Sequence, residues 1–254
     1  MQYWDADQYG KFSEQRMGPG LDLLARIPTA DPQIVVDLGC GAGSLTQVLR
    51  QRWPDAALVG VDASPEMLKT ARATLSVVTW QETDIEDWQP DTPVDVIYSN
   101  AALHWVGDHA RLFPRLLRYI DKGGCLAVQM PDNWDQPSHT ILSQMLESPE
   151  WPEAARAAFL RHPVATVSDY RRWLHEATDL EMWRTTYFQT LIGSDPVLEW
   201  VRGSVLAPVE AAMNDHEKAA FEAALTEAYA AAYPPADDRT TLFPFSRLFI
   251  VAMR

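Results

Sequence analysis

The chain has 254 residues, of which 47 % are hydrophobic and 22 % charged, which suits one large α/β domain and argues against disorder. Thirty-five acidic against 21 basic residues give a net charge of −14, a field that repels polyanions and disfavours a nucleic-acid partner. No apolar run reaches the roughly 18–20 residues that cross a bilayer, and MQYWDADQYGKF lacks a signal peptide's basic start and apolar stretch, so a cytoplasmic protein without a membrane partner is expected.

In chain order, IVVDLG (Ile34 to Gly39) is a short apolar run ending at glycine, the pattern of a buried parallel strand. A helix is predicted from about Leu45 to Trp53, stopped by Pro54, and ALVGVDAS (Ala57 to Ser64) reads as a second strand. Ser64, Pro65 and Glu66 supply an N-cap, a proline at the first helical position and an early acid, opening a helix through about Thr74. VVTWQETD (Val77 to Asp84) and VDVIYSN (Val94 to Asn100) are the third and fourth strands. A helix near His109 to Ile120, ended by Gly123 and Gly124, leads into a fifth, CLAVQMP (Cys125 to Pro131).

Beyond this, Ser168 and Asp169 cap a predicted helix through about Ala177, and MWRTTYFQTL (Met182 to Leu191) is a sixth strand. Asp195 and Pro196 start another helix. An alanine-rich helix runs from about Asn214 to Tyr233 and stops at Pro234 and Pro235, and LFIVAM (Leu248 to Met253) is the last strand. Strands alternating with helices imply a parallel sheet with helices on both faces. The segments 133–178 and 192–233 exceed a minimal sheet scaffold and are expected to form helical cap insertions within a single domain over 1–254. Ten tryptophans, among them Trp4, Trp105, Trp134 and Trp200, are expected to pack core or cap. Cys40 and Cys125 lie in no C-x-x-C pair and no His/Cys cluster has zinc spacing, so no metal site is expected and both thiols should pack as small apolar groups.

The chemistry begins at VVDLGCGAGS (Val35 to Ser44), where Gly39, Gly41 and Gly43 alternate at a strand-to-helix turn. Such a turn uses backbone angles closed to most side chains and lets a flat ligand lie on the main chain. The dinucleotide fingerprint G-x-G-x-x-G would need glycine where Ser44 stands. Asp37, inside the strand, suits a cationic ligand group. Asp62 ends the second strand, 19 residues past Gly43, where a ribose-binding carboxylate is expected. Asp84 and Ile85 end the third, placed for an adenine amino group and ring nitrogen. Each acid alone could equally be a loop acid or helix cap; three at successive strand ends point to one ligand.

These motifs, DLGCGAGS, VGVDASPEML, TDIEDW, SNAALHWV and LLRYIDKGGCLAVQM, resemble those of class I S-adenosylmethionine-dependent methyltransferases. That resemblance implies a Rossmann-like seven-stranded sheet, mostly parallel with the last strand antiparallel. It also implies S-adenosyl-L-methionine as cofactor, leaving S-adenosyl-L-homocysteine, held by Asp37, Gly39, Cys40, Gly41, Asp62, Ala63, Asp84, Ile85 and Asn100. WDADQYGKFSEQRMGPGLDLLARIP, NAALHWV, MPDNWDQPSH, YPPADD and the SRLFIVA ending are further similar to the trans-aconitate 2-methyltransferase family. This implies methyl-ester formation on a carboxylate of a small organic acid. Two departures, Ala207 and Pro244, fall where that pattern often has basic residues, so the acceptor could be a different acid.

A carboxylate acceptor is its own nucleophile and needs no base, only alignment and removal of water. Arg16, His104, Trp105, Arg202 and Arg247 are the candidates for holding it, arginine being suited to bidentate contact with carboxylates. Each arginine could instead be a solvated or ion-paired position. A hydroxyl acceptor would need a base, for which His104 is placed; His104 could equally pack on Trp105. A nicotinamide-dependent oxidoreductase is the alternative enzyme class, and no Y-x-x-x-K pair follows the fourth strand to support it. A monomer or small homo-oligomer is expected.

Overall fold

A computed structural model describes residues 13–159 and 164–254. Trp4 lies outside them, as does the side chain of Arg16. The elements run α1 (Ser13–Ala25), β1 (Ile34–Leu38), α2 (Ser44–Arg52), β2 (Ala57–Asp62), α3 (Pro65–Thr74), β3 (Thr79–Glu82) and β4 (Val94–Asn100). A 3-10 turn (Leu103–Trp105) precedes α4 (His109–Arg118), β5 (Ile120–Pro131), α5 (Pro137–Leu146), α6 (Glu153–Ala158), α7 (Val167–Trp173) and β6 (Asp179–Ile192). The chain closes with α8 (Pro196–Val201), a π-helical turn (Arg202–Leu206), α9 (Ala207–Ala211), α10 (Asp215–Ala232) and β7 (Thr240–Met253).

The strands form one seven-stranded sheet in the order β3-β2-β1-β4-β5-β7-β6. Pairs β1–β2, β1–β4, β2–β3 and β4–β5 are parallel, and β5–β7 is antiparallel. The Rossmann-like sheet implied by the sequence is therefore present. The order in which successive strands join the sheet reverses between the parallel neighbours β1 and β4, which makes the carboxyl ends of these two strands the topological switch point where open α/β sheets bind ligands.

Two compact units divide the described residues. One comprises Arg16–Pro131, Val164–Thr185 and Arg247–Arg254, and the other draws on Asp132–Pro163 and Thr186–Ser246. In the first, Val36, Leu38, Ile97, Val128 and Leu248 pack against Phe113 and Leu116 of α4 and Tyr170 of α7. On the opposite face, Tyr98 donates from its hydroxyl to the Gly20 carbonyl of α1 at 2.9 Å. In the second unit, Phe221, Leu225 and Tyr229 of α10 share a core with Leu142 and Leu146 of α5 and with Phe243 and Phe245. Each such buried side chain contributes roughly 1.5–3 kcal/mol. Within segment 133–178, Tyr170 of α7 and Leu174 just after it are buried in the sheet's core, in the first of the two units.

Element ends follow local chemistry. Ser64 caps α3 by accepting from Met67 N, with Pro65 opening the helix as the sequence predicts. Asn214 and Glu217 form a capping box on α10. The α7 cap is Thr166 rather than Ser168, because Asp169 sits three residues later and returns the reciprocal bond. Gly123 and Gly124 do not end a helix: α4 stops at Arg118 and the pair lies inside β5, where the register against β4 slips. A Cβ on Gly124 would stand 2.3 Å from the Asp95 carbonyl oxygen, so only glycine fits the slip. The last strand begins at Thr240, eight residues before the apolar run that announced it. No helix among the described residues is long and apolar enough to cross a membrane.

Candidate functional site

The glycine turn has the backbone its sequence required: Gly39, Gly41 and Gly43 have φ of +80°, +54° and +83°. Gly39 N and Cys40 N both donate to the Val61 carbonyl, at 2.8 and 3.0 Å, tying the turn to the end of β2. A side chain on Gly41 would meet nothing within 4 Å among the described residues. At Gly39 the opposite holds, since a Cβ would come 2.2 Å from the Ala102 Cβ. Gly39→Ala therefore combines a left-handed backbone with a clash, and is expected to destabilise the fold by roughly 2–5 kcal/mol in denaturant titration. An unchanged unfolding midpoint would contradict this reading of the turn.

Asp37 is buried on β1, and Thr46 of α2 donates to its Oδ2 at 2.5 Å. Burial pushes its carboxyl up to about 7, against the lowering effect of Thr46 and with help from the charge of Asp62. Asp62 Oδ2 accepts from Gly41 N at 2.8 Å and its Oδ1 from Ser64 N at 2.9 Å. One carboxylate thus fixes the glycine turn and the start of α3, and each oxygen keeps a lone pair for a further donor. Cys40 is a buried free thiol raised well above its ordinary range by burial, which removes it as a nucleophile. Cys125 is likewise buried and free. Ala63, beside Asp62, is exposed.

The third strand end is held by a residue that sequence reasoning missed. Arg115 of α4 donates from Nη2 to the Ile85 carbonyl at 2.7 Å and from Nη1 to the Glu86 carbonyl. Asp84 Oδ1 accepts from Glu86 N at 2.8 Å, leaving an exposed carboxylate at the mouth of β3. At the fourth strand end, Asn100 Oδ1 is enclosed and has no hydrogen-bond partner among the described residues. Ala101 follows at φ +54°, a backbone conformation that strains a non-glycine residue, and its N–H donates to the Gln129 carbonyl at 2.9 Å.

The five candidates for holding an acceptor separate. His104 and Trp105 occupy the turn after β4, with ring centroids 4.6 Å apart, and Trp105 is 45 % exposed. Arg247, on β7, is buried and donates from Nη1 to Gln129 Oε1 at 3.5 Å. Arg202 pairs with Glu199, with Glu210 at 3.2 Å and with Glu222 at 3.1 Å, all in the helical unit. Three carboxylates around one guanidinium leave no net positive charge for an anionic ligand. Its partner Glu199 stands at i−3 in α8, which runs directly into the turn that holds Arg202, a spacing visible in the sequence. The side chain of Arg16 lies outside the described residues. Trp134 packs edge-on against His139 and Phe159, and Trp200 against Phe243 and Phe245, as packing residues.

A family model described as "Methyltransferase domain" matches residues 35–124. The chain is 47 % identical to the trans-aconitate 2-methyltransferase of Azoarcus sp. (strain BH72) across the whole of both chains. It is 46 % identical to that of Methylobacterium nodulans over 99 % of this chain and 98 % of that one. Among solved structures, the YcgJ protein of Bacillus subtilis superposes with a TM-score of 0.57 at 16 % identity, covering 94 % of this chain and 98 % of that one. Phosphoethanolamine N-methyltransferase 2 of Haemonchus contortus, in complex with S-adenosyl-L-methionine, gives 0.56 at 16 %, covering 93 % and 52 %. At such identities these two share the fold alone.

Proposed function

Since the chain belongs to the trans-aconitate 2-methyltransferase family, we propose that it esterifies one carboxylate of trans-aconitate with the methyl group of S-adenosylmethionine. It is an S-adenosylmethionine-dependent methyltransferase, and the nicotinamide alternative falls with that membership. The observation that carries the acceptor is the 47 % identity over the whole of both chains.

The residues present fit the cofactor on two counts. Gly41 offers open room above its Cα for a flat ligand, and Asn100 Oδ1 is a buried acceptor awaiting a donor such as an ammonium. When bound, S-adenosylmethionine supplies a methyl group carried on a sulfonium. Asp62 would accept from the ribose hydroxyls with the lone pairs that Gly41 and Ser64 leave, Asp84 would accept from the adenine amino group, and the Ile85 N–H would serve a ring nitrogen. Cys40 in the glycine turn and Ala63 just past β2 would add backbone surface beside Asp62. Asp37, once ionised, would offset the charge of the ammonium end.

The acceptor carboxylate is an anion already, so the protein's task is to align it and strip its water. Burial on β7 supports Arg247 as the cation that grips it, with His104 and Trp105 beside the fourth strand end as further contacts. Under this mechanism His104→Ala raises the KM for the acceptor and leaves kcat within about tenfold, because no proton is removed. A kcat loss of roughly 10²–10⁴ would instead mark His104 as a base and the acceptor as a hydroxyl. The direct test is incubation with labelled cofactor and a panel of small organic acids, read by the mass of the ester. Failure to methylate trans-aconitate, with turnover of another acid, would move the acceptor to that acid, in line with Ala207 and Pro244.

The two free, buried thiols and the small diffusible acceptor support a cytoplasmic setting. The net charge of −14 supports a small-molecule partner over nucleic acid, in a monomer or small homo-oligomer.

A further inference from the structure

Gln129 is wholly buried in β5, an amide among apolar neighbours in the run CLAVQMP. Its orientation is set by chemistry. Arg247 Nη1 faces its Oε1 at 3.5 Å, and a guanidinium can only donate, so the oxygen must point to the arginine and Nε2 away from it. Nε2 is enclosed and has no hydrogen-bond acceptor among the described residues. Buried donors are rarely left so, and the exceptions mark places where a ligand completes the bond.

Register adds direction. Gln129 is the β5 partner of Asn100, and Arg247 opposes Pro131, two residues further along β5. Residues two apart on a strand, and registered partners across strands, share a face. Asn100, Gln129 and Arg247 therefore stand on one face at the carboxyl ends of β4 and β5. Asn100 presents an unmet acceptor and Gln129 an unmet donor, so they call for ligand groups of opposite kind. The cofactor's three strand-end partners run from β3 through β2 to the switch point at β1 and β4. Gln129 and Arg247 lie one and two strands beyond β4 on the far side, and strands are about 4.8 Å apart.

We propose that Gln129 Nε2 and Arg247 form the subsite for a carboxylate of the acceptor other than the one methylated, with Gln129 Oε1 orienting the guanidinium toward it. This rests on the carboxylic-acid reading above and deepens it: Gln129 becomes a specificity-determining residue that selects acceptors carrying a second carboxylate.

The test is calorimetric titration of trans-aconitate, and of tri-, di- and monocarboxylic acids, into the S-adenosylhomocysteine complex of wild type, Gln129→Met and Gln129→Glu. Thermal melts check that each variant is folded. Gln129→Met is expected to weaken trans-aconitate tenfold or more while S-adenosylhomocysteine binds within twofold of wild type, and to leave monocarboxylic acids little changed. In turnover the loss appears in KM, with kcat at saturating acid within about threefold. Gln129→Glu keeps a contact for Arg247 but sets a negative charge where the carboxylate belongs, so it should weaken the acid further; it decides the matter if the methionine variant does not fold. A fall in S-adenosylhomocysteine affinity with acid binding unchanged would assign the amide to the cofactor and overturn the proposal. So would a glutamate variant that binds the acid as well as wild type, or a wild-type complex that binds no organic acid. Acid that binds but is never methylated would overturn the esterification reading alone, and the variant ratios would still decide the subsite.

Discussion

Asp62→Ala is expected to lower the affinity for S-adenosylhomocysteine by at least a hundredfold. Two effects add. The ribose hydroxyls lose a charged acceptor, at roughly 1.5–3 kcal/mol per bond. The Gly41 and Ser64 N–H groups lose the carboxylate that holds them at 2.8 and 2.9 Å, so the glycine turn and the start of α3 are no longer pre-set for the ligand. Asp62→Asn separates these, since an amide oxygen can still receive one of the two N–H groups but offers the ribose a weaker acceptor. An intermediate loss, about tenfold, is expected there. Isothermal titration checks both; an alanine variant within threefold of wild type would remove Asp62 from the cofactor site.

Asp37→Asn is expected to make the protein more stable at pH 8 and a poorer binder of its cofactor. An ordinary aspartate ionises near 3.8, while burial holds Asp37 up to about 7. Its folded-state value is raised, so its stabilising contribution is complete below about 3.8, declines as pH rises toward 7 and is gone above it. The charged form then burdens the native state by up to roughly 4 kcal/mol. Asparagine keeps an oxygen for the Thr46 hydroxyl without the charge. Its Tm should exceed that of wild type by several degrees at pH 8, at about 2–4 °C per kcal/mol, and show no advantage at pH 4.

Cofactor binding has the opposite sign. An ammonium favours ionised Asp37, so wild-type affinity should tighten about tenfold between pH 6 and pH 8 with release of a proton, and the asparagine variant should show a flat profile. Titration in buffers of different ionisation heat measures the proton directly. A flat wild-type profile would mean that Asp37 does not sense the ligand's charge.

The places where sequence reasoning failed share a cause. Arg115 sits in an amphipathic helix and resembles a solvated position, yet it clamps the turn at Ile85 and Glu86 from 30 residues away. Arg202 reads in the sequence as a cation open to an anion, and carboxylates from three helical positions surround it. Gln129 carried a signal that went unread, a single amide inside an apolar strand. The α7 helix was grouped with the cap because a helix in sequence does not state which core receives its apolar face.

By itself the sequence determined the alternation of strands and helices in the first half, the glycine turn, the three acids at successive strand ends and the family. These rest on local rules: positive φ selects glycine, apolar runs of strand length bury, and the residue after a strand faces the mouth of the sheet. Tertiary structure alone decided which charges are already answered, which buried polar atoms still await a partner, and where the final strand brings Arg247 beside Gln129 across 118 positions of sequence. Pairing of charges and burial of polar groups depend on neighbours distant along the chain. Until the sheet closes around them, an arginine in a salt-bridge cluster and an arginine buried beside an amide read alike.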